Sequence, residues 1–170
     1  MQRSASGDGW VLTHPRCARD RAEDLEEVRL MIEAGEGDVA VDELRWLVGG
    51  CSEMIEAHFL LGKLAVELDG DPSLARGHFG FGHQMGAKAF RRARCPGPLS
   101  AMHPANRSFY DCGRGLAWKL RELGKTPMAI EVVEALIAMD PADPLNLSAW
   151  LDELRTDGKT VVGIDDLLGR

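Results

Sequence analysis

A recurring skeleton of residues constrains this chain more than any other feature. A glycine is followed at fixed distances by an alanine, a large apolar residue and a further small or apolar residue. The three occurrences are Gly35, Ala40, Leu44 and Leu47; Gly70, Ala75, Phe79 and Gly82; and Gly124, Ala129, Val133 and Leu136. The first two sets stand 35 residues apart at every position and the last two stand 54 apart. A period of about 34 residues with one long insertion accounts for both intervals. Within each set the last three positions have helical spacing, so each set reads as one helix preceded by a turn.

Helical signals fill most of the remaining chain. Leu25, Val28, Met31 and Ile32 form one stripe that ends at Gly35 and Gly37. Val39, Ala40, Leu44 and Leu47 form the next, closed by Gly49 and Gly50, and Ile55, Phe59, Leu61 and Leu64 form a third that Ser52 can cap. Asp71-Pro72, Thr126-Pro127 and Asp143-Pro144 each put a side-chain acceptor before a proline, which suits the first helical turn because that turn leaves its N–H groups unpaired. Further helices are expected near 108–123, 127–139 and 144–155, about seven in all. The stretch 91–107, RRARCPGPLSAMHPANR, holds three prolines and four arginines and reads as a long loop. The chain therefore divides into a flexible leader over 1–14, a helical repeat domain over 15–155 and a tail over 156–170.

This pattern resembles the tetratricopeptide repeat. Leu61-Gly62, Ala75 and Phe79 match its motif in the second unit; Leu116-Ala117, Gly124, Ala129 and Asp140-Pro141 match it in the third. The first unit departs from it, with Glu27-Val28 in place of Leu-Gly, and the second carries a one-residue insertion and lacks the final proline. The resemblance covers roughly 22–155 and implies an all-α superhelix of about three degenerate hairpins with a C-terminal capping helix. Small residues at Gly62, Ala75, Ala117 and Ala129 would let helices approach closely, while Leu61, Phe79, Leu116 and Val133 would fill the space between hairpins. Leu147, Trp150, Leu151 and Leu154 would cover the last hairpin.

The resemblance also implies a binding surface. The first helix of each unit lines the concave face, which would present Leu25 and Arg29, then Phe59 and Lys63, then Arg114, Trp118 and Arg121. Cations beside aromatics suit a protein or peptide partner, an acidic one in particular. A register shift of one residue would instead make these ordinary solvated positions. Arg29 and Lys63 stand where a chaperone-tail-binding subclass has asparagines, so that partner is not carried over.

Composition narrows the function classes. A net charge of −7 argues against general nucleic-acid binding, although Arg91, Arg92, Arg94 and Arg107 could meet phosphates or acidic groups. No apolar stretch approaches the roughly 20 residues of a membrane span, and the N-terminus lacks a secretory pattern, so the expected location is the cytoplasm. The four cysteines, Cys17, Cys51, Cys95 and Cys112, form no C-x-x-C pair and are expected as free thiols. The alternative to an interaction module is a metal-binding or enzymatic protein that uses His14, Cys17, Cys95, His103 and Cys112 around the long loop. Their spacing matches no compact zinc motif, and no catalytic residue or cofactor is assigned. The glycines at 77, 80, 82 and 86 are expected to allow close helix approach, and His78 and His83 to point away from each other. The tail pairs Asp165 and Asp166 with Ile164, Leu167 and Leu168, which could dock into the chain's own groove or, in a homodimer, a neighbour's.

Overall fold

The structure is a computed structural model that describes residues 1–156 apart from Ser6, Asp8, Asp69, Cys95 and Pro96. Its helices are α1 (Arg16–Arg19), α2 (Ala22–Glu33), α3 (Gly37–Gly50), α4 (Ile55–Glu67), α5 (Pro72–Ala93), α6 (Pro104–Glu122), α7 (Thr126–Met139) and α8 (Leu147–Thr156). Two short strands, β1 (Gln2–Arg3) and β2 (Trp10–Val11), pair antiparallel. The class is all-α. Helices pack in neighbouring pairs, α2 with α3, α4 with α5 and α6 with α7, and α8 packs on α7. Helix α4 also lies against α6, which brings the first helices of two pairs side by side.

The recurring skeleton forms the core. Ala40, Ala75 and Ala129 are fully buried, as are Leu44, Leu47, Val133 and Leu136, and Phe79 is nearly so. Close approach follows from the small residues between them. A Cβ on Gly62 would stand 2.6 Å from the Phe79 ring, and one on Gly115 would stand 2.9 Å from the same ring. Phe79 is thus held between two glycines, one on α4 and one on α6.

Helix ends show where local chemistry sets the boundaries. Asp71 caps α5 by accepting the N–H groups of Ser73 and Leu74 at 2.8 and 3.0 Å. Thr126 does not cap; it is already the first residue of α7, and Lys125 precedes it without a side-chain bond. Asp143 caps from further away than expected. Its carboxylate accepts from Leu147 and Ser148, and α8 starts at Leu147 rather than at Pro144. Ser52 likewise stands outside the start of α4, whose cap position is Met54.

The long loop is shorter than 91–107. Helix α5 continues to Ala93, because no residue that breaks a helix occurs before Pro96, and it stops at Arg94 in the left-handed region (φ 48°). Helix α6 begins at Pro104, where His103 accepts the Ala105 N–H at 3.2 Å, so a histidine-proline pair supplies the capping pattern. The connector between them is tied down. The Leu99 N–H donates to Met139 O, the Tyr110 hydroxyl donates to Leu99 O at 2.6 Å, and the Ala101 N–H donates to Asp140 at 2.8 Å.

The leader over 1–14 is expected to be flexible, yet residues 10–15 lie as a strap across the fold. Val11 and Leu12 are buried, and Trp10 bridges to Leu99. Asn106, fully buried on α6, accepts the Leu12 N–H at 2.8 Å and donates to Trp10 O and Ser100 O. A single amide side chain thereby joins strap, connector and helix, and three satisfied bonds offset its burial. The strap is fixed a second time by a disulfide between Cys17 and Cys51. These two cysteines are therefore not the free thiols expected. Widely separated cysteines can still meet when helices fold back, which spacing alone does not reveal. Residues 157–170, with the tail's expected docking and the homodimer built on it, lie outside the described residues. So does Cys95.

Candidate functional site

A cleft of about 560 Å³ opens among α4, α5, α6 and α8. Phe79 forms its floor, with Phe59 at a ring-centroid distance of 6.2 Å. Trp118 from α6 and Trp150 from α8 line it as well, with Val66 and Gly115. Trp118 is 45% exposed, although indole is among the most strongly apolar side chains a protein displays. The small residue at 115 is needed here, because any Cβ would meet the Phe79 ring.

The charges in the cleft are paired. Lys63 lies 3.7 Å from Glu67 one helical turn along α4, and Arg114 lies 3.6 Å from Asp111 on α6. Burial holds the Asp111 carboxyl above its usual pKa, against the opposing pull of Arg114 and Arg107. The surface expected to be basic is therefore aromatic and close to neutral. Partly exposed pairs of this kind add little stability, typically below about 1 kcal/mol.

Of the seven residues expected on one face, the structure brings Phe59, Lys63, Arg114 and Trp118 together in the cleft. Leu25 is not there. It is 6% exposed and belongs to the core formed with Val28, Leu44 and Leu47, since the α2 stripe that carries it faces α3. Arg29 is occupied by ion pairs to Glu26 and Glu56, with its Nε donating to Glu56 at 3.1 Å. The hydrogen bond to Glu56 holds its pKa above the ordinary arginine value. Arg121 stands on the last turn of α6 and does not line the cleft. Conversely, Trp150 was expected only as part of a capping face, and Glu67 and Asp111 were not expected at all. Their positions four after Lys63 and three before Arg114 carry that signal, because such neighbours share a helix face.

Among the described residues, which leave out Cys95, the cysteine and histidine set does not converge. Cys17 is bonded to Cys51, and Cys112 is fully buried against Ile55 O, where burial raises its thiol pKa far above the usual range. His14 bonds Ala105 O at 2.9 Å, and His103 caps α6. Among the described residues no three His, Cys, Asp or Glu side chains come together as a metal site would require. His78 and His83 do point apart. His78 meets His58, Nδ1 to Nδ1 at 3.3 Å, whereas His83 stacks on Phe109. Burial lowers the pKa of all three histidines, that of His83 to about 4.

No family model, curated protein or solved structure matches this chain. Among the described residues no helix is long and apolar enough to cross a membrane.

Proposed function

We propose that the chain is a non-catalytic interaction module of the tetratricopeptide type, which receives a segment of a protein partner in the α4–α6–α8 cleft. The observation that carries this reading is Trp118. It is 45% exposed beside Phe59 and Trp150, over a buried Phe79. A rigid aromatic cleft supplies binding area at low entropic cost, and tryptophan and arginine are the residues that most often dominate binding energy. The paired Lys63–Glu67 and Arg114–Asp111 would orient a segment carrying either sign of charge, so apolar anchors rather than acidity select the partner. Helices packed in neighbouring pairs, with each pair against the next, support the repeat reading, since hairpins of such arrays stack to complete their cores.

The disulfide bears on location. Such bonds persist in oxidising compartments and are rare in the cytosol. The oxidised form described here fits the former, and the cytoplasmic expectation applies to a reduced chain.

The test is a selection of displayed random peptides on the whole chain, followed by measurement of their affinity for Trp118→Ala. Truncating a central aromatic should weaken the cleft-binding peptides at least tenfold, equivalent to about 1.4 kcal/mol. A selection in which none of the enriched peptides binds Trp118→Ala more weakly than wild type would refute the cleft.

A further inference from the structure

We infer a second binding site, on the face of α5 turned away from Phe79, that accepts a short acidic segment with an apolar anchor. It stands on its own observations and does not depend on the reading of the aromatic cleft. At 100° per residue, Phe81, Met85, Lys88 and Arg92 lie on the side of α5 opposite Phe79. They form one wall of a cleft of about 500 Å³, and the strap residues Leu12 and Pro15 form part of the facing wall. The strap is fixed on both sides of this cleft, by Cys17–Cys51 and by the Leu12–Asn106 and His14–Ala105 hydrogen bonds. The wall is thus built by a covalent bond and by buried and part-buried hydrogen bonds before any ligand arrives.

The chemistry changes along the cleft. At one end Phe81 is 44% exposed, with its ring 4.6 Å from that of His58. At the other end stand Lys88 and Arg92, with Arg91 and Arg94 beside them on the last turn of α5 and its cap. None of these four cations forms an ion pair with a carboxylate among the described residues. In a chain of net charge −7 such a cluster stands out, and it contrasts with the paired charges of the aromatic cleft. Cations free of an ion pair, expected on the first helices, stand here at the end of α5.

The dimensions define the occupant. Phe81 and Arg92 are separated by about 16 Å along a helix, at about 1.5 Å per residue. An extended segment of about five residues spans that distance. It would place a Leu, Phe or Met against Phe81 and Met85, and Asp or Glu against Lys88 and Arg92. A nucleic acid fits less well, because Glu53 lines the cleft and the rest of the chain repels a polyanion.

The experiment is peptide display on the oxidised full chain at low salt, run in parallel on Lys88→Glu/Arg92→Glu and on Trp118→Ala. Both cations are exposed, and equal melting temperatures would verify that the double variant is folded. Wild type should enrich peptides with a large apolar residue within five positions of Asp or Glu. The double charge reversal should reduce that class at least tenfold, and Trp118→Ala should retain it. Absence of the class from wild type overturns the inference. So does its loss in Trp118→Ala with retention in the double variant. A fluorescein-labelled oligothymidylate that binds more tightly than the best peptide, and is released by the same charge reversal, would replace the peptide with a nucleic acid and also overturn it.

Discussion

Two glycines in one helix should respond to the same substitution with opposite signs. Gly77 and Gly86 both lie inside α5, where alanine is favoured over glycine by about 1 kcal/mol. A Cβ on Gly77 would meet nothing within 4 Å. Gly77→Ala should therefore stabilise the chain by about 0.5–1 kcal/mol, mainly by restricting the unfolded state. A Cβ on Gly86 would stand 2.2 Å from Cδ2 of Phe109, which is fully buried. The ring has little room to retreat, because His83 stacks on it at 5.3 Å and Tyr110 meets it edge-on at 5.2 Å. Overpacking of this kind costs about 1–3 kcal/mol, and a 2.2 Å approach to a confined ring falls at about 2–3 kcal/mol, so after the helix gain of about 1 kcal/mol Gly86→Ala should lose about 1–2 kcal/mol. Urea unfolding followed by circular dichroism reads both. With a slope of about 2 kcal/mol per molar, the midpoint should rise by about 0.3–0.5 M for Gly77→Ala and fall by about 0.5–1 M for Gly86→Ala. A rise in both would show that α5 does not approach α6 at Gly86, and the described packing would be refuted.

Other perturbations probe separate parts of the account. Phe79→Ala should destabilise by about 3–5 kcal/mol in the same urea assay, and a change below about 0.5 kcal/mol would deny Phe79 its place between Gly62 and Gly115. Cys17→Ser should cost about 3–4 kcal/mol without reductant, the loop-closure value for a separation of 34 residues, and should make stability indifferent to dithiothreitol; a wild type equally indifferent would deny the disulfide. Stability should also fall as the medium is acidified. Burial holds His83 neutral down to about 4, whereas in the unfolded chain it takes up a proton below its ordinary value of 6.5. Its contribution is complete above 6.5 and shrinks as pH falls through that window, by roughly 3 kcal/mol at most. His58 and His78, also lowered by burial, act in the same direction. His83→Leu should flatten the slope by about one proton between pH 6.5 and 4.5, and a wild type of constant stability over that range would refute the buried neutral imidazole.

The parts of the fold legible in the sequence were those set by local periodicity. Ala40, Ala75 and Ala129 recur at matching positions, and all three are fully buried. The glycines of α5 were legible only in part. Gly82 and Gly86 do admit a neighbouring helix, whereas Gly77 faces open space and Gly80 makes an ordinary contact with Leu116. What periodicity could not show were contacts between distant segments. Asn106 reads as one polar residue in a proline-rich stretch, yet it bonds the strap 94 and 96 residues earlier in the chain. The cleft followed the same rule. Phe59, Lys63, Arg114 and Trp118 lie on the expected helices, but Trp150 enters from α8, and its arrival depends on how α8 packs on α7. Leu25 faces α3 and not the groove, because an apolar residue on a first helix can meet its own hairpin partner as readily as a groove.

The four tryptophans allow the central claim to be tested directly. Trp118 and Trp150 line the aromatic cleft, whereas Trp10 lies against Gly97 in the connector and Trp46 lies under Arg21. Each indole N–H gives its own resonance in a nitrogen-15 correlation spectrum. Titrating the labelled chain with the tightest displayed peptide that Lys88→Glu/Arg92→Glu still binds should shift the Trp118 and Trp150 indole signals and leave those of Trp10 and Trp46 in place. Saturable binding that moves Trp10 or Trp46 while Trp118 and Trp150 stay unmoved would contradict the assignment of the partner to this cleft.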